Sequence, residues 1–541
     1  MQTLMKTYIK LFIPAATLLL GMGMTSCVND LDVEPLDPNV STEYTPIGLY
    51  NKCYANFAME GNAGGGSTDI VASDAGTTGL LRQMFNANEL PTDEAICGWG
   101  DPGIATFINN GYGADHPMLE MYYNRLTVGI DYCNQYINVA SDYDATMTAE
   151  VRLLRAIEYY LLMDAFGNVP FGTALEKPVQ YSRAEMFDWL VNEVEALEPA
   201  LMDAKAKKST DANYGRLDKA AAWMLLARLY LNAEVYTGEA KWAKAAEYAK
   251  KVMDSSYKLN TTSVGGWSAY QMLFMGDNGE TDAAYEAVFP IKADGLTTTQ
   301  YGASFFYIAS TFGGEMHANP SDPSATNGTS GAWSGNRARA DLVLKFFPEA
   351  AADESKAPNV QSYDMVLVAG DDRALFCGEG HTLNADAPAT FTSGFGVAKF
   401  TNFKTDGSAG HDATYPDTDF FLFRVGEAYL TYAEALFRQG QTAEALTTIN
   451  QLRARAHATP KQSIELKDIC DEWCREFYFE GRRRTDLVRF GFFGGRNNYN
   501  WQWKGGEYTG TNFDEYRNVF AIPTKDLTAN KNMQQNAGYP K

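Results

Sequence analysis

The sequence predicts a mainly α-helical protein, built as a scaffold of tetratricopeptide-like helical hairpins with a large, irregular, loop-rich face. Two pairs of segments carry small and large apolar residues at helical spacing on either side of a break that contains Gly. Between the two pairs lies a stretch, about residues 257–420, that is rich in Gly, Thr, Ser, Asn and aromatic residues. An earlier stretch, 60–117, is similarly expected to be non-helical. Because binding residues concentrate in loops, we expect the function to lie on this face.

Three single helices are predicted before the first pair. Residues 118–140 and 147–166 carry apolar and aromatic side chains at helical spacing, and Gly, Asn and Pro follow the second segment as a stop signal. A third helix is expected over about 182–201, because Ser182 and Glu185 form a capping box.

The two helical pairs resemble tetratricopeptide hairpins. The first is expected over 218–236 and 242–253, and the second over 425–438 and 442–456. Roughly two hundred residues separate the pairs, which excludes a simple tandem solenoid and identifies 257–420 as a large insertion.

The composition is that of a folded, acidic protein. The 541 residues include 45 Lys and Arg against 67 Asp and Glu, for a formal charge of −22. This balance argues against a nucleic-acid partner, because phosphate binding requires a basic face. Seven scattered Cys do not form a disulfide framework. The 31 Tyr, 30 Phe and 9 Trp exceed what a core alone demands, which is the first positive indication of function.

The N-terminus predicts a lipoprotein signal. Lys6 and Lys10 precede an uncharged, mostly apolar run at 11–24 that is too short to span a bilayer. The small residues that follow lead to Cys27, and this arrangement resembles a bacterial lipobox. It implies cleavage before Cys27 and acylation of its thiol. Ordinary signal cleavage with an incidental Cys is the alternative.

An acidic segment follows Cys27 and predicts an extended tether, because it holds four acids and two Pro within residues 28–40. The chain is therefore expected to consist of a signal peptide, a lipidated tether and a single domain. The expected bounds are 1–26, 27–40 and 41–541, with helical scaffold at about 118–256 and 421–490 and loop-rich regions at about 60–117 and 257–420.

Motifs of common catalytic chemistry are missing. The sequence has no GxxxxGK[ST], HExxH or GxSxG pattern. Cys470 and Cys474 share a face of a predicted helix and lack nearby further ligands, which favours a buried apolar pair over a metal site. The basic run 482–484 is expected to form local ion pairs on a helix with the acids around it, Glu472, Glu476, Glu480 and Asp486.

One short loop is a candidate Ca²⁺ site. Asp277, Asn278, Glu280 and Asp282 place four oxygen-bearing side chains within six residues. Hard cations favour such ligands, although the pattern is not that of an EF-hand. A solvated acidic turn is the alternative. No other cofactor is expected.

Several segments, in register along the chain, resemble the SusD/RagB family of outer-membrane lipoproteins of Bacteroidetes. They include RAIEYYLLMDAFGNVP at 155–170 and EFYFEGRRRTDLVR at 476–489. The others are at 413–419, 522–527 and 536–539. Within the family the match is closest to the starch-binding member, on 90–94, 222–238 and 503–506.

The resemblance implies a cell-surface glycan-binding lipoprotein rather than an enzyme. Such a protein captures oligosaccharide or polysaccharide, here expected to be α-glucan, and delivers it to a SusC-like TonB-dependent transporter in the outer membrane. Other glycans (dextran, levan or a host glycan) and peptides are the alternative ligands. A glycoside hydrolase is a further alternative, because the same aromatic clefts would serve it.

The resemblance also implies which residues hold the glycan. Trp99, Tyr301 and Trp333 match an arc of aromatic residues, and Arg82 matches a polar contact. Asp101 stands where the starch-binding member has Asn. The starch-binding member also has Trp at the position of Cys97, and a thiol offers no stacking plane, so the arc is expected to be shorter or differently curved. Core packing is the alternative role for each aromatic residue.

The lipobox leads to a test. Cys27→Ala removes the acceptor thiol, so we expect the variant to leave the membrane fraction and to lose incorporation of labelled palmitate. A Ser26→Ala variant serves as the control and should remain lipidated. A Cys27→Ala variant that still pellets with membranes and incorporates palmitate would show that the N-terminus is not a lipobox.

Overall fold

The protein is described by a computed structural model that covers residues 44–72, 74–174, 177–322 and 324–540. The expected signal peptide, Cys27 and the tether lie outside these residues. From Tyr50 onward the chain forms one compact unit. No helix in these ranges is both long enough and apolar enough to cross a membrane.

Helices carry most of the regular structure, as the sequence predicts. In chain order they are α1 (Pro46–Ala58), α2 (Leu80–Asn88), α3 (Ile104–Ile108), α4 (Pro117–Ala140), α5 (Ala145–Phe166), α6 (Arg183–Leu197), α7 (Lys219–Leu231), α8 (Ala233–Thr237), α9 (Trp242–Met253), α10 (Ser304–Ala309), α11 (Ala340–Val343), α12 (Ser362–Ala369), α13 (Val425–Arg438), α14 (Thr442–Arg455), α15 (Leu466–Phe477), α16 (Arg483–Arg489) and α17 (Thr524–Ala529).

The strands are short and form four antiparallel pairs in the described residues, β1–β5, β2–β3, β4–β8 and β6–β7. Their bounds are β1 (Ala95–Cys97), β2 (Val169–Phe171), β3 (Val179–Tyr181), β4 (Ala287–Ile291), β5 (Asn336–Ala338), β6 (Phe376–Cys377), β7 (Gly396–Val397) and β8 (Phe420–Arg424).

The predicted helices form within a few residues of their expected bounds, except that 218–236 is divided at Asn232 into α7 and α8. α4 and α5 pack against each other, as do α7 with α9 and α13 with α14. Ser182 and Glu185 form the expected capping box at the start of α6, since each side chain accepts a backbone N–H of the other residue. α6 ends at Leu197, four residues earlier than expected, and a 3₁₀ turn that contains Pro199 follows it.

The two hairpins adjoin in space although the insertion separates them in sequence. α9 of the first hairpin packs against α13 of the second. Buried alanines, among them Ala245 and Ala249 of α9 and Ala428 and Ala435 of α13, keep the helix surfaces small at their contacts. The helical stack is therefore continuous in three dimensions.

The insertion consists of loops, short strands and short helices, as expected. It leaves the scaffold before β4 and returns through β8, and these two strands pair with each other over Ala287↔Arg424 to Ile291↔Phe420. All residues of both strands are buried. The β4–β8 pair therefore closes the insertion at its base, where it joins the helical scaffold.

The prediction that 60–117 is non-helical is wrong for two elements, α2 and the five-residue helix α3. α2 lies in the middle of this stretch, and every one of its residues is buried. Its apolar residues do recur at helical spacing, but the helix spans only nine residues, fewer than the window of about 11–18 residues over which this pattern is diagnostic. Its polar residues are buried as well: Gln83 donates to the Thr77 carbonyl, and Asn88 accepts from Arg484.

The basic run at 482–484 forms ion pairs, but most partners are distant in sequence. Arg482 pairs with Asp486, as expected, and also with Glu427. Arg483 binds Asp93 at 2.7 Å and Arg484 binds Asp164 at 2.5 Å. The prediction of purely local pairing is therefore wrong, because the run is buried and takes its partners from three other segments.

Three of the four acids expected to serve that run, Glu472, Glu476 and Glu480, instead form a buried cluster with five other arginines. Glu476 pairs with Arg424 at 2.8 Å, with Arg373 at 3.3 Å and with Arg455. Glu472 pairs with Arg373, Arg453 and Arg475 at 2.8–2.9 Å. We call this set, together with Glu286, the core ion cluster.

The two cysteines of α15 are buried, free and fully covered by neighbouring side chains, which confirms the prediction of an apolar pair. Burial raises the pKa of the Cys470 thiol to about 12. A thiol of this kind stays protonated and behaves as a small apolar side chain.

The core ion cluster predicts an acid-sensitive stability. Burial by itself raises the pKa of Glu472, but its arginine partners outweigh burial and lower the pKa from 4.5 to about 2. The carboxylate therefore stabilises the fold above pH about 4.5, and this contribution is lost as the pH falls towards 2. At pH 7 we expect Glu472→Gln to lower the free energy of unfolding by about 3–5 kcal/mol.

Urea denaturation from pH 7 down to pH 3 measures this effect. The difference between the wild type and Glu472→Gln should narrow as the pH falls below about 4.5, because the carboxylate then takes up a proton in the unfolded wild type before it does so in the folded protein. Glu247→Gln is the control, since Glu247 pairs with Lys244 at 2.9 Å while both side chains remain about half exposed. That change should cost less than about 1 kcal/mol. Equal costs at the two sites would contradict the role given to the cluster.

Candidate functional site

All five residues singled out as glycan contacts line one open cleft. The cleft has a volume of about 420 Å³. The sixth side chain that lines it, Asp74, was not anticipated. The lining residues are Asp74, Arg82, Trp99, Asp101, Tyr301 and Trp333.

The β1–β5 ladder brings the two tryptophans together. Cys97 of β1 lies opposite Asn336 of β5, and the Gly98 N–H donates to the Gly335 carbonyl at 3.0 Å. Because the strands are antiparallel, the residue that follows β1 and the segment that precedes β5 meet at the same end of the ladder. Trp99 and Trp333 occupy these two positions.

The two indoles are held at a fixed angle. The Trp99 Nε1–H donates to the Trp333 carbonyl oxygen at 3.1 Å, and the ring centroids lie 6.2 Å apart with an interplanar angle of 52°. Gly335 lies directly against the Trp99 ring, where an added Cβ would come within 2.3 Å of the indole. Glycine is therefore required there for the ring to keep its place.

Trp333 is positioned by the short helix α10 and the residues after it. Its N–H donates to the Ala309 carbonyl at 2.6 Å, and its ring packs edge-on against Phe305 with centroids 4.9 Å apart. The next residue, Ser334, has φ +52° and donates its N–H to Phe312. A left-handed non-glycine residue is uncommon, and here it turns the chain from the indole into β5.

Tyr301 sits on a buried carboxyl group. Glu60 accepts the N–H of Tyr301 at 2.9 Å and also that of Gly302. Burial raises the pKa of Glu60 to about 7, although the two N–H groups favour its charged form. The Tyr301 hydroxyl lies 3.3 Å from that of Tyr415, a half-buried residue whose ring centroid is 5.6 Å from that of Tyr301. Only the resemblance of 413–419 to the family pointed to this segment.

Arg82 provides the cation of the cleft. Its guanidinium pairs with Asp74 at 3.3 Å and lies over the rings of Trp99 and Phe306, at 5.7 and 5.2 Å from their centroids. Burial lowers the pKa of Arg82, while Asp74 and Asp101 oppose that shift. Its buried Nε has no hydrogen-bond partner in the part of the chain that the structure describes.

Cys97 does not line the cleft. Its thiol points away from solvent, with 2% of the residue exposed, and burial raises its pKa to about 12. The aromatic residues that line the cleft are two tryptophans and one tyrosine.

The expected Ca²⁺ loop does not assemble a ligand set. Asp277 accepts from the N–H and hydroxyl of Thr405, Asn278 bonds to backbone groups, and Asp282 pairs with Lys208 at 2.8 Å. Within the described residues, no group of three or more His, Cys, Asp or Glu side chains is arranged to hold a metal ion. Three of the four oxygen-bearing side chains serve separate structural contacts, and Glu280 is exposed.

The cleft has the chemistry of a sugar-binding surface. A sugar ring has an apolar C–H face that packs on aromatic planes and a rim of hydroxyl groups that bond to charged or amide side chains. Trp99, Trp333 and Tyr301 supply half-buried rings, and Arg82 with its two acids supplies donors and acceptors beside them.

Solved structures share the fold. Surface glycan-binding protein A from Bacteroides uniformis superposes with a TM-score of 0.65 at 20% identity, covering 91% of this chain and 99% of that one. The corresponding protein from Bacteroides thetaiotaomicron, in complex with laminarihexaose, gives 0.63 at 17% identity over 91% and 98% of the two chains. The Bacteroides fluxus protein gives 0.64 at 19% identity over 92% and 100%.

Known proteins are also similar to this chain in sequence. The model of the SusD family matches residues 311–539. The starch-binding protein SusD of Bacteroides thetaiotaomicron is 40% identical over an alignment of 573 residues, which covers 99% of this chain and all of that protein. Similarity at this level along the whole chain, together with the shared helical fold, shows that the chain belongs to the SusD family.

Proposed function

We propose that this protein is a cell-surface glycan-binding lipoprotein that captures α-glucan and delivers it to a SusC-like TonB-dependent transporter. The observation that carries the proposal is the convergence of Trp99, Trp333 and Tyr301 with Arg82 in one open cleft. These residues come from four separate segments of the chain and line the cleft together.

The angle between the indole planes of Trp99 and Trp333 favours a curved ligand. Planes inclined by 52°, as those of Trp99 and Trp333 are, cannot both stack on a straight, flat chain. An α-glucan is helical, so successive sugar rings turn and can meet both planes. The open cleft also leaves both ends of a chain free, which suits binding within a long polysaccharide.

The comparisons support glycan binding more broadly than α-glucan binding. The relative that is 40% identical is a starch-binding protein, whereas a distant structure of the same fold holds laminarihexaose. The choice of α-glucan therefore rests on the nearer relative and on the inclined rings. Dextran, levan, host glycans and peptides remain the alternative ligands to be tested beside it.

A glycoside hydrolase is the second candidate, because two carboxyl groups, Asp74 and Asp101, lie in the same cleft. A glycosidase needs one carboxyl group to remain protonated in a dry pocket beside the scissile bond. Both of these aspartates are exposed to solvent, so neither has that environment. We therefore propose binding without bond cleavage.

Removing a stacking ring tests the site. We expect Trp99→Ala or Trp333→Ala to weaken maltoheptaose binding about tenfold to a hundredfold, because an aromatic stacking contact is worth about 1–3 kcal/mol. Calorimetric titration measures the affinity, and a thermal melt measures stability. Both residues are half-buried, so the melting temperature should change far less than it would for a core tryptophan.

Trp223→Ala is the matched control for this test. Trp223 is also half-buried but lies on α7, outside the cleft, so its loss should leave maltoheptaose affinity unchanged. Parallel titrations with isomalto-oligosaccharides, levan and laminarin report ligand choice, and release of reducing ends in the same samples reports hydrolysis. Unchanged affinity in both cleft variants would place the glycan elsewhere, and sustained product release would favour the hydrolase.

Delivery requires a partner, because a lipid-anchored binding protein has no channel of its own. We expect a pull-down from a mild-detergent extract to recover a large outer-membrane protein with a TonB box, in the presence of glycan. Trp99→Ala serves as the control, since loss of a stacking ring should not release a partner bound elsewhere. Recovery of the lipoprotein alone under these conditions would contradict the transporter proposal.

A further inference from the structure

A second aromatic pair, Trp503 and Tyr508, lies outside the cleft. Tyr508 is 38% exposed and Trp503 is half-buried, and their rings meet nearly perpendicularly, with centroids 5.5 Å apart and an interplanar angle of 77°. Trp503 has φ +69°, a left-handed conformation that is an outlier for a bulky residue. Strain of this kind persists only where the surroundings enforce it, and it is found disproportionately at binding sites.

Side-chain amides surround this pair. The Gln502 amide donates to the Asn384 side-chain oxygen at 2.9 Å and to the Tyr508 hydroxyl at 3.2 Å. The Trp503 Nε1–H donates to the Ala385 carbonyl at 2.8 Å, which fixes the indole. Exposed rings beside amide and hydroxyl groups provide the same two chemistries as the cleft, a stacking surface and a polar rim.

Two buried arginines attach this pair to the scaffold of the cleft. Arg339 donates from Nε to the Ala95 carbonyl of β1 at 2.8 Å and from another nitrogen to the Gln502 carbonyl. Arg337 of β5 donates to the carbonyls of Ala387 and Pro388 at 3.2 and 2.5 Å. Neither arginine has a carboxylate partner among the residues described by the structure. Both act as clamps on backbone oxygens.

The contacts of Arg339 limit the distance between the tryptophans of the cleft and the pair formed by Trp503 and Tyr508. One guanidinium bonds to both Ala95 and Gln502, and Trp99 follows Ala95 by four residues of mostly extended chain. Backbone dimensions then keep Trp503 within roughly 20–25 Å of Trp99. A chain of several sugar residues spans such a distance.

The surface between the two groups is polar and accessible. Gly98, beside Trp99, lies against the carbonyls of Pro388 and Ala389, and an added Cβ would come within 3.3 and 3.5 Å of them. The same loop continues back to Ala385, which holds Trp503. Its outward residues are exposed, including Asp386, Ala389, Thr390 and Thr392.

We propose that Trp503 and Tyr508, with Gln502 and Asn384, form a second glycan subsite that holds the same polysaccharide chain as the cleft. The inference rests on the proposed function, since it assigns the second subsite to the ligand of the first. A long chain then contacts both groups at once, and a short oligosaccharide fills the cleft alone. The two contacts act through effective concentration, so the benefit appears only in chains long enough to reach both.

The test measures the affinity of one variant for a long and for a short oligosaccharide. Trp503→Gly removes the ring and keeps the left-handed backbone without strain, because glycine adopts positive φ freely. We expect its affinity for a long maltodextrin to fall about tenfold, as loss of a stacking contact predicts. Its affinity for maltotriose should stay within twofold of the wild type. Tyr508→Ala is a second variant with the same expected pattern.

Tyr143→Ala is the control, since Tyr143 is 55% exposed and lies at the end of α4, outside both groups. It should bind both probes as the wild type does. If the wild type shows no preference for maltodextrin over maltotriose, or if Trp503→Gly keeps that preference in full, the second subsite is wrong while the cleft stands. If the wild type binds neither probe, the α-glucan proposal fails, and the second subsite for that ligand fails with it.

Discussion

Arg424 and Glu476 meet in the interior of the protein, and the fold depends on the complete pairing of these and the neighbouring charges. Arg424 is the last residue of β8, and Glu476 lies on α15. Two further residues complete the contact: Glu286, which directly precedes β4, and Arg455, the last residue of α14. A charge removed from water is costly unless partners replace its hydration. The scaffold helices and the base of the insertion must therefore assemble in one arrangement, since any other leaves a buried charge unpaired.

The same use of buried arginine recurs under the cleft, where carbonyl oxygens are the main partners and Asp69 also pairs with Arg125 at 2.8 Å. Arg125 bonds to the carbonyls of Thr78 and Glu60, while Arg337 and Arg339 bond to the loops behind the aromatic residues. A guanidinium has five donors in a fixed plane, so it can hold several loop segments together. Loops with little regular structure are in this way made rigid enough to position Trp99 and Trp333.

A rigid but open site suits a protein that binds and then passes on its ligand. The rings of the cleft are half-buried, which leaves part of each plane available without covering the ligand completely. Such a site holds a chain through a few contacts and does not enclose it. Spreading contacts along one polysaccharide, as we propose for Trp503 and Tyr508, raises affinity for long chains while each contact stays weak and reversible.

Local sequence patterns were enough to predict α4 to α6, both hairpins and the capping box at Ser182. The resemblance to the family predicted five of the six residues that line the cleft. The tertiary structure alone decided α2, the partners of 482–484, the role of Asp74 and the position of Trp503 beside the loop at 385. α2 is only nine residues long and lies in a loop-rich stretch, so its few apolar residues at helical spacing do not distinguish it from a loop. Partners such as Arg483 and Asp93 are separated by nearly four hundred residues, and charge spacing along a chain specifies neighbours only within a turn or two.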